Sequence, residues 1–467
     1  MAQSKLFSPS LILLYLASFF NFLAIALVLV ATISLICEKI GGSATAVNAQ
    51  TAFVTVTSYF IMNSAKLMFS KFDAALSDHV GRKPILVASC LAFIISRGLV
   101  LSATDASLFY LAALTVGSVD VFYAVCVAYI SDLLTGDDAV LRGKAFGIQA
   151  GLAIGLGFTV GVPVGAVLQD KYSLQTPFYS AIISSFASIV CIIAVPSSDV
   201  KGLVYEDKVR RFPSDWKQFI IAHHPLSGFG LILRAKLSPL DWLSNFCGQV
   251  AQQLLQSTFI LFVEGALGYT PPQAGEAFAI IGLSIALFSP LLIGRYEERG
   301  LNSLGQCVQI LGYLFLSLAG APDFKAGPLA IPGFLFLAVG SVWQSAMPSI
   351  LTKQYDETEY GSVVGVMTQQ AVCAVIPAYP LSLLFSYTMQ SNSTIKWPGF
   401  VWVFAAFFLL ASIFVQIHAH PNKALTLVKR AAPATVAPDE DENKNPIPPT
   451  AVVVNPLIPQ SHPGVKE

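Results

Sequence analysis

The chain has 467 residues, 55% of them hydrophobic and only 12% charged, and its 27 Lys and Arg balance its 27 Asp and Glu. An average soluble domain carries roughly 25% charged residues, so a soluble chain of this size could not cover its surface with so few. Zero net charge and the lack of any basic stripe interleaved with aromatics exclude a nucleic-acid partner and leave the lipid bilayer as the expected one.

The first apolar run, Leu11 to Ile36, exceeds the roughly 7–15 residues of a signal-peptide core and is expected to persist as a membrane span. A spanning helix needs about 20 predominantly apolar residues. On that measure, spans are predicted over 11–36, 51–70, 84–104, 107–131, 144–168 and 178–195, then over 242–263, 272–294, 303–320, 327–350, 360–386 and 398–418. The expected class is an all-α membrane protein with twelve transmembrane helices in two groups of six. The domains follow: a six-helix bundle over 1–195, a polar central loop over 196–241, a second bundle over 242–420, and a tail over 421–467. The tail is rich in Pro, Ala, Val, Asn and charge without helical period, and is expected to be disordered.

Charge asymmetry orients this map. Lys39, Lys171, Lys325 and Lys396 are the basic residues of the loops on one side. Lys66 and Arg97 fall within spans, and the other 21 of the 27 lie on the side of both termini and the central loop. The excess of Lys and Arg in cytoplasmic loops places both termini in the cytoplasm.

Between the second and third spans runs Ala74-Ala75-Leu76-Ser77-Asp78-His79-Val80-Gly81-Arg82-Lys83-Pro84. It reads as a tight cytoplasmic turn: Gly81 permits the reversal, Pro84 starts the next helix, and Asp78 faces Arg82 and Lys83. Such a cluster can form a charge clamp that exists in one conformation and breaks in another. The plainer alternative is a charged loop that only orients the protein. Ala128-Tyr129-Ile130-Ser131-Asp132 then ends the fourth span, Arg142-Gly143-Lys144 opens the fifth, and Gly157, Gly161, Pro163 and Gly165 follow within it. Small residues four apart allow close helix approach, and a proline beside them weakens the helical ladder.

The first segment resembles the signature of the major facilitator superfamily, commonly written G-x-L-x-D-R-x-G-R-R, with Ala74 in place of the first Gly and His79 in place of the first Arg. Over roughly residues 50–170 the chain is similar to the tetracycline-exporter-like branch of that superfamily and to the animal tetracycline-transporter-like orphan carriers. In the fifth-span motif of that branch, G-x-x-x-G-P-x-x-G-G, this chain has Val162 at the Pro, with Pro163 displaced by one and Ala166 at the last Gly. An Arg near the start of the fourth span, associated in that branch with proton coupling, is Ala113 here. The second half carries an echo, Gly294-Arg295-Tyr296-Glu297-Glu298-Arg299-Gly300, with Glu297 and Gly300 in the positions of Asp78 and Gly81.

The resemblance implies two pseudo-symmetric six-helix bundles, with the first, fourth, seventh and tenth spans lining a central cavity. It implies a monomer that moves a small organic solute by alternating access, with H+ as a candidate coupling ion. A receptor, nutrient sensor or trafficking factor on the same scaffold is the alternative. Asp78, Gly81, Arg82, Lys83, Asp132, Arg142, Gly161, Pro163 and Gly165 become candidate gating residues.

Candidate solute or coupling residues are the polar groups inside spans, where an ionisable side chain is costly unless paired or wetted. Arg97 and Asp120 are the two that stand out, on consecutive spans that could bring them together. Asn245, Gln249, Gln252 and Gln256 are spaced to form one stripe along the seventh span, and facing lipid would leave their amides unsatisfied. They serve either as interhelical hydrogen bonds or as a cavity wall. Asn21 and Gln344 complete a set with one contribution from each of the first, fourth, seventh and tenth spans. No C-x-x-C, H-E-x-x-H, P-loop or Ser-His-Asp constellation is present, so no metal, cofactor, ATP hydrolysis or catalysis is expected.

Overall fold

The computed structural model describes residues 6–40, 48–134, 145–146, 148–149, 155–196, 216–222, 239–293, 296–321, 327–352, 360–390 and 393–421. Arg142, most of the central loop and the tail beyond 421 lie outside the described residues. Helices occupy all twelve expected positions. Among the described residues, seven helical stretches are by themselves long and apolar enough to cross a membrane, beginning with Pro9–Lys39.

Local chemistry sets the helix starts. Ser8 caps the first span by accepting from the Leu11 amide at 3.4 Å, and Asn48 caps the second by accepting from the Thr51 amide at 2.9 Å. Asp105 caps the fourth. Hydrogen bonds from the Ser107 hydroxyl and amide hold its carboxyl below the usual range. Pro9 and Pro177 occupy the first helical turns of the first and sixth spans, where a missing N–H costs nothing.

Three departures from the predicted map bear on function. The second span runs over Ala49–Val80, ten residues past its predicted end, so Ala74 to Asp78 are helical and the turn contracts to Gly81. The charges of Lys71, Asp73 and Asp78 gave this stretch the composition of a loop, but nothing before Gly81 breaks the helix.

The fourth span is interrupted. It forms Ala106–Gly117 and Phe122–Leu133, with Ser118 to Val121 outside both pieces. The tenth span, its counterpart in the second half, is interrupted too, into Gly327–Gly340 and Trp343–Thr352. Each break follows a glycine pressed against a neighbouring span. A Cβ on Gly117 would lie 2.1 Å from the Met62 carbonyl oxygen, and one on Gly340 would lie 2.6 Å from the Gln309 amide nitrogen.

Third, the seventh span starts at Pro239, so Asp241, assigned above to the central loop, sits in its first turn.

Among the described residues, the apolar core shared by the two halves lies in the middle and toward one end. Ala26, Val30, Ile33 and Cys37 of the first span, Ala52 and Val56 of the second and Val162 of the fifth pack into one cluster with second-half residues. All lie in the middle of the molecule or toward the end opposite Gly81. At the Gly81 end the first half closes on itself, through Leu11, Leu14, Leu86, Cys90, Phe122, Ile130 and their neighbours.

Candidate functional site: the seam between the halves

The contacts that join the halves lie along two helix pairs. The second and eleventh spans meet through Phe60 and Tyr379, whose rings stack at 4.2 Å, and through the hydroxyls of Thr57 and Tyr379, 3.3 Å apart. The fifth and eighth spans meet through small residues. A Cβ on Gly275 would lie 3.2 Å from that of Ala166 and 3.3 Å from the Pro163 Cα, and one on Gly282 would lie 3.1 Å from the Thr159 hydroxyl. Pro163 remains inside the continuous helix Gly157–Lys171. The opposite face of that helix packs on the first span. A Cβ on Gly161 would lie 2.5 Å from that of Ala26, and one on Gly165 would lie 1.9 Å from the Leu27 carbonyl oxygen. The first span itself breaks at Val28, between Pro9–Leu27 and Leu29–Lys39.

Partly exposed polar groups gather between these pairs. Tyr59 of the second span reaches across to the seventh, with its hydroxyl 2.5 Å from Gln253 Oε1 and 2.6 Å from the Gln256 side-chain oxygen. A phenol has one proton. The Gln253 amide donates to the Ala371 carbonyl at 2.9 Å, and its oxygen and that of the exposed Gln256 both face the single proton of Tyr59. Gln344, at the break of the tenth span, donates to Gln252 at 2.8 Å. Two turns below Tyr59, Lys66 Nζ lies 2.9 Å from Asp120 Oδ2, and both side chains keep about a quarter of their exposure (26% and 23%). Asp120 therefore sits at the break of the fourth span, as Gln344 does at that of the tenth.

The expected Arg97–Asp120 contact does not form, and helix rise explains why. Arg97 is four residues from the end of the third span at Leu101, roughly 6 Å deep, whereas Asp120 lies fourteen residues into the fourth, roughly 20 Å deep. The Arg97 guanidinium instead lies 5.8 Å from the Phe93 ring centre. Lys66, the other basic residue placed within a span, takes the carboxylate.

The remaining candidates divide. Asn21 is buried, 3.8 Å from the Cys90 thiol, in the interior of the first bundle rather than on the seam. Asn245 is buried and donates to Gln370 of the eleventh span at 2.6 Å, as an interhelical bond. Gln249 is half-buried on the same stripe. Along the stripe, Asn245, Gln252 and Gln256 all make interhelical hydrogen bonds, with Gln252 half-buried and Gln256 exposed.

At the Gly81 end the clamp is assembled. Gly81 has φ 100° and ψ 156°, a region essentially reserved for glycine. That reversal starts the third span with Arg82 facing back along the second. Arg82 bonds Asp78, donates to Asp132 Oδ2 at 3.0 Å and to the Ser77 hydroxyl at 2.6 Å, and so ties the second, third and fourth spans together. Lys83 donates to the Val195 carbonyl at the end of the sixth.

The second half has an arginine–carboxylate cluster of its own. Arg299, at the start of the ninth span, donates two parallel bonds of 3.0 and 3.1 Å to Asp241, and His420 Nε2 stands 3.3 Å from the same carboxylate. Glu297 had been aligned with Asp78. The acid that meets the arginine comes instead from the first turn of the seventh span.

The sequence profile of the Major Facilitator Superfamily matches residues 14–380. The chain belongs to that superfamily. It is 26% identical over 340 residues to the class C tetracycline resistance protein of Escherichia coli, covering 71% of this chain and 78% of that one. It is 23% identical over 368 residues to the class H protein of Pasteurella multocida, covering 77% and 84%. Among solved structures it resembles the nucleoside transporter NupG in its D323A form, with a TM-score of 0.65 at 13% identity over 88% of this chain and 100% of that one. It also resembles the human organic anion transporter MFSD10, with a TM-score of 0.63 at 15% identity over 87% and 99%. Twelve helices in the superfamily's fold and this set of relatives make the chain a multi-pass membrane transporter of the secondary class.

Proposed function

We propose that this superfamily member carries a small, neutral or zwitterionic organic solute by alternating access, and that the solute binds at the seam between the breaks of the fourth and tenth spans. The paired interruption carries the reading. Broken helices at corresponding positions of two repeats are where secondary transporters expose unpaired backbone and polar side chains to a midplane site. Here those breaks present Asp120 and Gln344 to Lys66 and Gln252. A lysine–carboxylate pair with a ring of amides offers donors and acceptors in balance and no net charge.

The two ends of the molecule fit two states of such a cycle. With the termini and the Gly81 end on the cytoplasmic side, as the basic residues favour, the shared apolar core closes the outer end. The Arg82 and Arg299 clamps sit at the opposite end, on the two halves separately, and would register each bundle as the halves rock.

Reconstitution into proteoliposomes tests the reading. The purified chain should support saturable exchange of a solute found by ligand-dependent thermal stabilisation, since binding to the folded state raises its stability. Binding without flux would replace transport by sensing.

A further inference from the structure

The second span has 32 residues, Ala49–Val80, and at about 1.5 Å per residue it measures roughly 48 Å, whereas crossing the hydrocarbon core takes only about 20 residues. Large apolar side chains remain exposed on its outer surface as far as Met68 and Phe69. Beyond them the helix runs on toward Gly81 through the depth of the lipid headgroups. There a short helix of the central loop, Trp216–Ala222, packs against it. The Phe72 ring lies edge-on to Phe219 at 5.4 Å and 6.3 Å from Trp216, and the His79 ring meets Phe219 edge-on at 5.3 Å. Phe72 and His79 are two turns apart on one side of the second span, and Met68 lies one turn before Phe72 on the same side. Phe219 is buried in this aromatic seat.

The same short helix carries a second apolar face, turned away from the seat. Trp216 and Ile220 are one turn apart and 42% and 54% exposed, and Lys217 is exposed beside them. We propose that Trp216 and Ile220 rest in the lipid interface at the Gly81 end of the molecule, so that this helix straps the central loop to the second span and to the bilayer at once. Two observations select lipid over a protein partner. The patch continues the outward side of the second span, from Met68 through Phe72 to Trp216 and Ile220. An indole, an aliphatic side chain one turn away and a lysine at their edge also suit a helix lying in the plane of the interface. Lys217 lays its apolar stem along that surface and reaches the headgroups with its ammonium. His79, which stands where the superfamily signature has an arginine, contributes an aromatic ring to the seat.

Nitroxide labels at Ile220→Cys and Gln218→Cys, both exposed and on opposite sides of the short helix, test the contact in proteoliposomes of phosphatidylcholine and phosphatidylglycerol. The four half-buried native cysteines, Cys191, Cys247, Cys307 and Cys373, are replaced beforehand. Electron spin resonance reads the collisions of each label with lipid-dissolved oxygen and with a water-soluble nickel chelate. The oxygen-to-nickel ratio at 220 should exceed that at 218 by about fivefold or more, as expected for a side chain about 5–10 Å into the interface. Phe219→Ala empties the seat and should bring the two ratios together, in protein that still unfolds at the parental temperature. Strong nickel collisions at both positions would place the helix in water. Weak collisions with both reagents at 220 would mean that protein covers it. Either result overturns the proposal. A contrast that survives Phe219→Ala would overturn the strap, since the second span would then not be what holds the helix at the membrane.

Discussion

Lys66 and Asp120 form an ion pair 2.9 Å long between the second span and the break in the fourth. The pair is partly wetted, so its net contribution to folding is on the order of 1 kcal/mol, and its two charges are more consequential for what binds beside them. Asp120→Asn should reduce solute flux at least tenfold while lowering the unfolding temperature only slightly. Adding Lys66→Gln should restore that small stability loss, because no unpaired ammonium is left, but not the flux. Parental flux in Asp120→Asn would remove the pair from the site.

The arginine clamp predicts a graded series. Arg82 is the member that touches all the others, and its side chain is 14% exposed, against 32% for Asp132 and 59% for Asp78. Charge-assisted bonds gain strength with burial. Flux should therefore fall most in Arg82→Gln, less in Asp132→Asn and least in Asp78→Asn, with all three reaching the membrane in folded form. An equal loss in all three would mean that the cluster acts through surface charge alone.

Backbone geometry gives a sharper contrast between glycines. Gly81→Ala puts a Cβ into a region that costs about 1–3 kcal/mol, and Gly165→Ala puts one 1.9 Å from the Leu27 carbonyl oxygen. Gly98, in the third span, has nothing within 4 Å of the added atom. Thermal unfolding in detergent should show a marked loss for the first two variants and none for Gly98→Ala.

These residues also show what a sequence does and does not display. Twelve apolar runs were legible because a bilayer demands about 20 such residues each time, and the Asp78–Arg82 contact because both partners lie in one turn. The break at Ser118 to Val121 was not. It contains no proline, while Pro163, Pro332 and Pro380 all lie inside continuous helices. The breaks follow glycines pinned by neighbouring spans, a tertiary cause that leaves no local mark. Asp241 fell just outside a predicted span because an acid ends a hydropathy run, although helix packing buries it.

Asp241 gives the last test. Its side chain is 1% exposed, and Arg299 meets it with both guanidinium nitrogens, so the start of the ninth span is fixed to the start of the seventh. Breaking a buried pair by removing one partner costs about 3–5 kcal/mol, whereas replacing both partners is far cheaper. Arg299→Gln should therefore destabilise the protein by about 3 kcal/mol, and Arg299→Gln combined with Asp241→Asn by clearly less. Unfolding by denaturant in detergent measures both. A double variant as unstable as Arg299→Gln alone would show that Asp241 is held by something other than this arginine.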